Sequence, residues 1–202
     1  MAHALPRLFL ARHGETLWSL SGQHTGRTDL ALTANGEKDG LKLAQRLKAF
    51  QFAAIWTSPR QRAKRTAELA GYGDRLPVEP DLAEWDYGDF EGVRTEDILK
   101  KAPGWFLFRD GCPNGETPDQ VGARADHVIA KARAQKGDVL VFSHGHFIRV
   151  LAARWLGRPA HDACYFVCGT ASLGIMSYEH HNLEEPVVCL WNDDRHLHGD
   201  VS

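Results

Sequence analysis

Apolar residues gather along this chain in short unbroken runs rather than long alternations. "LFLA" (8–11), "AAIW" (53–56) and "VLVF" (139–142) are each too short for a helix. Continuous apolar runs of this length suit strands buried on both faces, as in a parallel sheet. Each run exits into polar residues: "RHG", "TSP" and "SHG".

Helical periodicity follows each exit. "TANGEKDGLKLAQRLKAF" (33–50) places Leu41, Ala44, Leu47 and Phe50 on one side, with Thr33 as cap and Gly36 and Gly40 weakening the first turns. In "SPRQRAKRTAELAG" (58–71), Ser58 and Pro59 read as N-cap and first helical residue, and Gly71 as the stop. The positive end of that helix is expected at the same pocket as the strand exits. A helix over 118–135 precedes the third run and another follows it to Gly157, and "ASLGIMSYE" and "PVVCLW" read as closing strands. The glycine-, proline- and aromatic-rich span 78–118 reads as loops with short helical pieces, a kind of excursion that usually serves function.

Three strand-to-helix units predict a three-layer α/β/α sandwich with a mostly parallel central sheet, built as one domain over residues 1–202. Ligands bind such sheets at the carboxyl ends of the strands. Arg12, His13, Arg62 and His144, distant in sequence, are therefore expected to meet in one pocket.

Composition narrows the class. At 43% hydrophobic and 25% charged the chain matches an ordinary globular protein. A net charge of −2 gives no overall attraction for nucleic acid or an anionic membrane. No apolar run approaches the ~18 residues of a membrane span, and the start does not read as a signal peptide. The four scattered cysteines fit neither a redox nor a zinc motif, so cytoplasmic location with reduced thiols is expected. Eleven histidines raise the question of a metal. The pairs "HGH", "EHH" and "HLH" come without an H-E-x-x-H or aspartate-rich ligand pattern, so neither metal nor other cofactor is expected.

Converging arginines offer planar, permanently charged forks for phosphate oxygens, and histidines offer a nucleophile and a donor. A small phosphorylated substrate suits that set better than a neutral one. "LFLARHGET", "TSPRQRAKRTA", "LAEWDYGDFEG" and "VFSHGH" together resemble the histidine phosphatase superfamily, the phosphoglycerate mutase-like proteins, over nearly the whole chain. The resemblance implies that His13 is the phosphorylated nucleophile and Arg12 and Arg62 are phosphate ligands, with Arg60 outside the motif. It further implies that His144 is a donor to the phosphate and Glu84 the acid/base. Where the family often has asparagine this chain has Ser19.

The span "VRTEDILKKAPGWFLFRDGCPNGETPDQVG" is shorter than the family's mutase insertion and lacks its arginine cluster, which favours hydrolysis over transfer. Mutase-type transfer and a non-catalytic phospholigand-binding module remain the alternatives. "EWDYGDFEG", "RDGCPNGET", "SHGHFIRV" and "SYEHHN" resemble most the subgroup of broad acid phosphatases and sedoheptulose-1,7-bisphosphatase-like enzymes. By that resemblance Arg149 and His180 or His181 stand where a distal phosphate would bind. Ser19, Gln23, Thr25 and Gly26 are further candidates for substrate contact, and Trp18, Trp85, Phe90, Trp105, Phe106 and Phe108 for the pocket's roof. A homodimer through an edge strand is compatible with the fold.

Overall fold

The computed structural model describes residues 5–73 and 76–198. Strands β1 (Leu8–Arg12), β2 (Ala54–Thr57), β3 (Val139–Ser143), β4 (Leu173–Tyr178) and β5 (Pro186–Asp193) form one sheet in the order β2-β3-β1-β4-β5. The first three run parallel, β4 runs antiparallel to β1, and β5 runs antiparallel to β4. Seven α-helices accompany them among the described residues: α1 (Leu17–Ser21), α2 (Ala34–Leu47), α3 (Gln61–Ala67), α4 (Thr95–Lys101), α5 (Leu107–Asp110), α6 (Pro118–Arg133) and α7 (Gly145–Trp155).

Alternation along the strands sorts the core into two layers. Leu8, Leu10, Val139 and Val141 pack with residues of α6 and α7 on one face. Phe9, Ala11, Leu140 and Phe142 pack with residues of α2 and α3 on the other. Each fully buried Leu, Val or Phe contributes about 1.5–3 kcal/mol of apolar burial, which explains why these strands are apolar at successive positions.

Register brings the polar exits together. Arg12 pairs with Ser143 and Thr57 with Phe142, so the three parallel strands end side by side. The amide of His13 donates to the Ser143 carbonyl at 3.0 Å and that of Ser58 to the Phe142 carbonyl at 2.9 Å.

Three local expectations change. Thr33 does cap α2, accepting from the Gly36 amide at 3.0 Å, but the helix turns Leu43 inward with Leu47 and leaves Leu41 55% exposed. Its packed face begins with glycines because the chain crosses too closely for side chains: a Cβ on Gly36 would lie 2.3 Å from the Glu15 carbonyl oxygen, and one on Gly14 2.4 Å from that of Gly36. Ser58 is not a helix cap, since α3 starts after Arg60, and its first amide, Gln61, donates to the Asp29 carboxylate at 2.9 Å. The positive end of α3 is thus taken by Asp29. In addition, the polar run after His13 holds a short helix, α1, opened by a capping box between Thr16 and Ser19.

Candidate active site

At the carboxyl ends of the parallel strands lies a cavity of about 270 Å³ lined by Arg12, His13 and Glu84 among others. His13 is buried, and its Nδ1 lies 2.7 Å from the Gly14 carbonyl oxygen. A carbonyl only accepts, so Nδ1 carries the proton and Nε2 presents a lone pair. Burial first, then the charges of Arg12 and Arg62, hold the His13 pKa well below the ordinary histidine value, so the ring stays neutral.

Arg12 donates from Nη1 to the Cys168 carbonyl, while its buried Nε has no protein partner. Buried donors are seldom left unpaired, and an anion in the cavity would satisfy this one. The guanidinium packs flat on Gly145, where a Cβ would stand 3.1 Å from Cζ. That contact explains the glycine in "SHG".

Glu84 reaches the cavity from the loop after a 3-10 turn at Pro80–Leu82. Its carboxylate accepts from the amides of Trp85 (2.9 Å), His146 (3.1 Å) and Phe147 (2.8 Å). The last two belong to the first turn of α7, so the helix end that serves the site is that of α7, and Glu84 occupies it. Arg124 braces this loop, bonding the Glu116 carboxylate from two nitrogens (2.7 and 2.8 Å) and the carbonyls of Asp81 and Ala83 (2.7 and 2.9 Å).

Arg62 and His144 stand behind this wall, both 0% exposed and neither lining the cavity. Arg62 donates from Nε to His144 Nδ1 (3.1 Å) and from its terminal nitrogens to the carbonyls of Thr25 (2.9 Å), Gly26 (3.3 Å) and Thr28 (3.0 Å). Because guanidinium never accepts, His144 Nδ1 is unprotonated. Its Nε2–H therefore donates to Ser58 Oγ at 2.6 Å. Burial, followed by Arg62 and His13, lowers the His144 pKa well below its usual value.

The remaining expected contacts divide. Ser19, Gln23, Thr25 and Arg149 line the cavity. Ser19 Oγ is engaged with Thr16, and the Gln23 amide with Ser21 and Gly92. Gly26 lies behind with Arg62, and a Cβ there would meet the Trp85 carbonyl oxygen at 2.3 Å. His180 and His181 are placed elsewhere, contrary to expectation. β4 runs antiparallel to β1, so its first residue, Leu173, is at the site end and the β4–β5 turn is at the other. Both histidines are exposed there, and His180 Nδ1 bonds Glu185 at 2.6 Å. Glu179, His180 and Glu185 form the group among the described residues spaced to hold a metal ion, away from the cavity. Of the six aromatics considered for the roof, Trp18 alone lines the cavity.

His24, Tyr87, His146 and Cys168 also line it and had not been expected there. The doublet "HGH" was a signal for His146, since a residue in the first turn after a strand exit faces the same edge. His24 and Tyr87 carry no comparable mark.

A neutral imidazole beside an arginine with an unpaired donor and a carboxylate is an arrangement suited to an anionic, phosphate-bearing ligand. The model of the histidine phosphatase superfamily (branch 1) matches residues 8–194, and the chain belongs to that family. It is 33% identical to sedoheptulose 1,7-bisphosphatase of Saccharomyces cerevisiae over 271 aligned positions that take in all of both chains. It is 42% identical to an acid phosphatase of Mycobacterium tuberculosis, over 86% of this chain and 87% of the relative. The solved structure of an open-reading-frame product of Mycobacterium tuberculosis superposes with a TM-score of 0.86 at 38% identity, covering 93% of this chain and 97% of the other. No helix among the described residues is long and apolar enough to cross a membrane.

Proposed function

We propose that this phosphatase hydrolyses phosphomonoesters of small metabolites by passing the phosphoryl group through His13 Nε2, with no metal ion required. The observation that carries this reading is the His13 ring itself, tied at Nδ1 and bearing a lone pair at Nε2 beside Arg12 and Glu84. A phosphate dianion pairs with Arg12, whose free Nε lacks only an acceptor. The lone pair attacks phosphorus as the ester bond breaks, and Glu84, entering the cycle as the carboxylic acid, gives the leaving oxygen its proton and becomes the carboxylate. Glu84 then takes a proton from water, whose oxygen attacks the phosphohistidine, releasing phosphate and restoring His13. Arg62 and His144 act from behind, holding the 25–28 loop and the electrostatics at His13 rather than touching phosphate in this arrangement.

For the substrate we favour sugar phosphates and bisphosphates. Arg149 lines the cavity with Nε on the Ala163 carbonyl (3.1 Å) and its Cζ 4.4 Å from the centre of the Phe108 ring. Its terminal nitrogens have no partner among the described residues and suit a second anionic group. The name of the yeast relative points the same way. A cytoplasmic enzyme fits four free cysteines.

Hydrolysis of p-nitrophenyl phosphate in EDTA tests the class, and lack of turnover from acid to neutral pH contradicts it. Arg149→Met should raise KM for a sugar bisphosphate roughly tenfold relative to the monophosphate. Isomerisation of 3-phosphoglycerate in place of phosphate release would redirect the reading to a mutase.

A further inference from the structure

The cavity carries a second, uncharged set of polar groups that the phosphoryl chemistry does not use: His24, His146 and Tyr87. His24 Nδ1 donates to the Val93 carbonyl at 2.8 Å, which leaves Nε2 as an acceptor without a protein partner among the described residues. The ring packs edge to face against Tyr87 and Trp105, with centroids 4.7 and 5.8 Å away. His146 Nδ1 lies 2.6 Å from the Tyr87 hydroxyl. Tyr87 is buried, and desolvation, with Glu84 adding to it, pushes its pKa well above the usual value. The protonated phenol has no other acceptor among the described residues, so it donates to Nδ1 and His146 carries its own proton on Nε2. Burial lowers the pKa of both histidines and keeps them neutral. Their rings stack at 6.0 Å with planes 28° apart. One thus offers a lone pair and its neighbour an N–H.

We propose that His24 and His146 together bind a hydroxyl group of the substrate's leaving group, the hydroxyl donating to His24 Nε2 and accepting from His146 Nε2–H. The inference rests on the phosphatase and sugar-phosphate reading of the cavity and deepens it by naming the pair that recognises a hydroxyl of the leaving group. The hydroxyl lies near the ester carbon, because the backbone amide of His146 itself holds Glu84, which serves the ester oxygen. A carboxylate would fit worse there, since it has no proton for the His24 lone pair. Tyr87 is a positioning residue that acts by fixing the His146 tautomer.

The test compares kcat/KM for glycerol 1-phosphate and propyl phosphate. The wild type should favour the hydroxylated ester roughly 10- to 100-fold, and His24→Phe, which keeps an aromatic ring and removes the acceptor, should bring that ratio towards one. A wild-type ratio near one, or an unchanged ratio in His24→Phe, overturns the proposal. Nitrogen-15 NMR of the wild type should show His146 protonated at Nε2, and Tyr87→Phe should mix the tautomers and lower the same ratio. Protonation at Nδ1 in the wild type overturns the assignment without requiring any variant to fold. Should the wild type hydrolyse neither ester nor p-nitrophenyl phosphate, the phosphatase reading itself fails, and this inference with it.

Discussion

His13 and His144 follow neighbouring parallel strands, and their rings lie 5.1 Å apart, yet their surroundings differ in kind. His13 has one nitrogen committed to a backbone carbonyl and the other facing the cavity. His144 has both committed, to Arg62 and to Ser58, and no exposure. Arg12 and Arg62 repeat the contrast: one keeps an unpaired buried donor, the other is bonded at every nitrogen. Register brings Arg12, His13 and His144 to one edge, and α3, which follows β2, brings Arg62 to the same edge. The partners of each ring and fork then divide them into a reactive wall and a layer that holds it in place.

The inner layer is challenged most severely by Arg62→Lys. Lysine keeps the charge but loses the fork that spans His144 and three carbonyls, so kcat should fall about 10²- to 10³-fold, with a lower urea midpoint. Unchanged stability would show that the layer is not structural. On the wall, Glu84→Gln should slow an alkyl phosphate about 100-fold while slowing p-nitrophenyl phosphate much less, because nitrophenolate leaves without a proton. Equal losses for both esters would remove Glu84 from the acid role.

Acid titration touches both layers at once. His13, His144 and His146 all have folded pKa values well below the ordinary range, with burial as the leading cause. Below about pH 6.5 the unfolded chain takes up protons that the fold refuses, so stability falls as pH drops, with a slope approaching ~1.4 kcal/mol per pH unit for each histidine. Stability should hold above that pH and decline below it in urea melts, while kcat/KM on an aryl phosphate shows no loss centred near 6.5. A flat stability profile from pH 7 to 5 would contradict the buried neutral state.

The strands, and the arrival of Arg12 and His13 at one cavity, were legible because short apolar runs and their polar exits mark a parallel sheet directly; Arg62 and His144, expected in the same pocket, stand behind it, and Glu84 and Arg149 were placed there only by the family resemblance. The face of α2 was misread because Gly36 and Gly40 look like helix breakers, whereas they are close contacts with Glu15 and Leu69. Ser58 resembled a cap and instead anchors His144, a distinction that depends on the position at which α3 starts. His180 and His181 were misplaced because motif spacing does not report strand direction, and β4 reverses it. In the wall of His24, Tyr87 and His146, the last was marked by the strand exit before α7, whereas His24 and Tyr87 come from loops distant in sequence that no local pattern announces.

Rapid acid-free quenching during turnover, followed by mass-spectrometric mapping of the phosphoryl group, addresses the division between the two histidines most directly. The phosphoryl group should be found on His13 in the wild type, and it should disappear with activity in His13→Ala. Label on His144, or turnover with no phosphohistidine formed at all, would contradict the assignment of His13 as the group that carries phosphate.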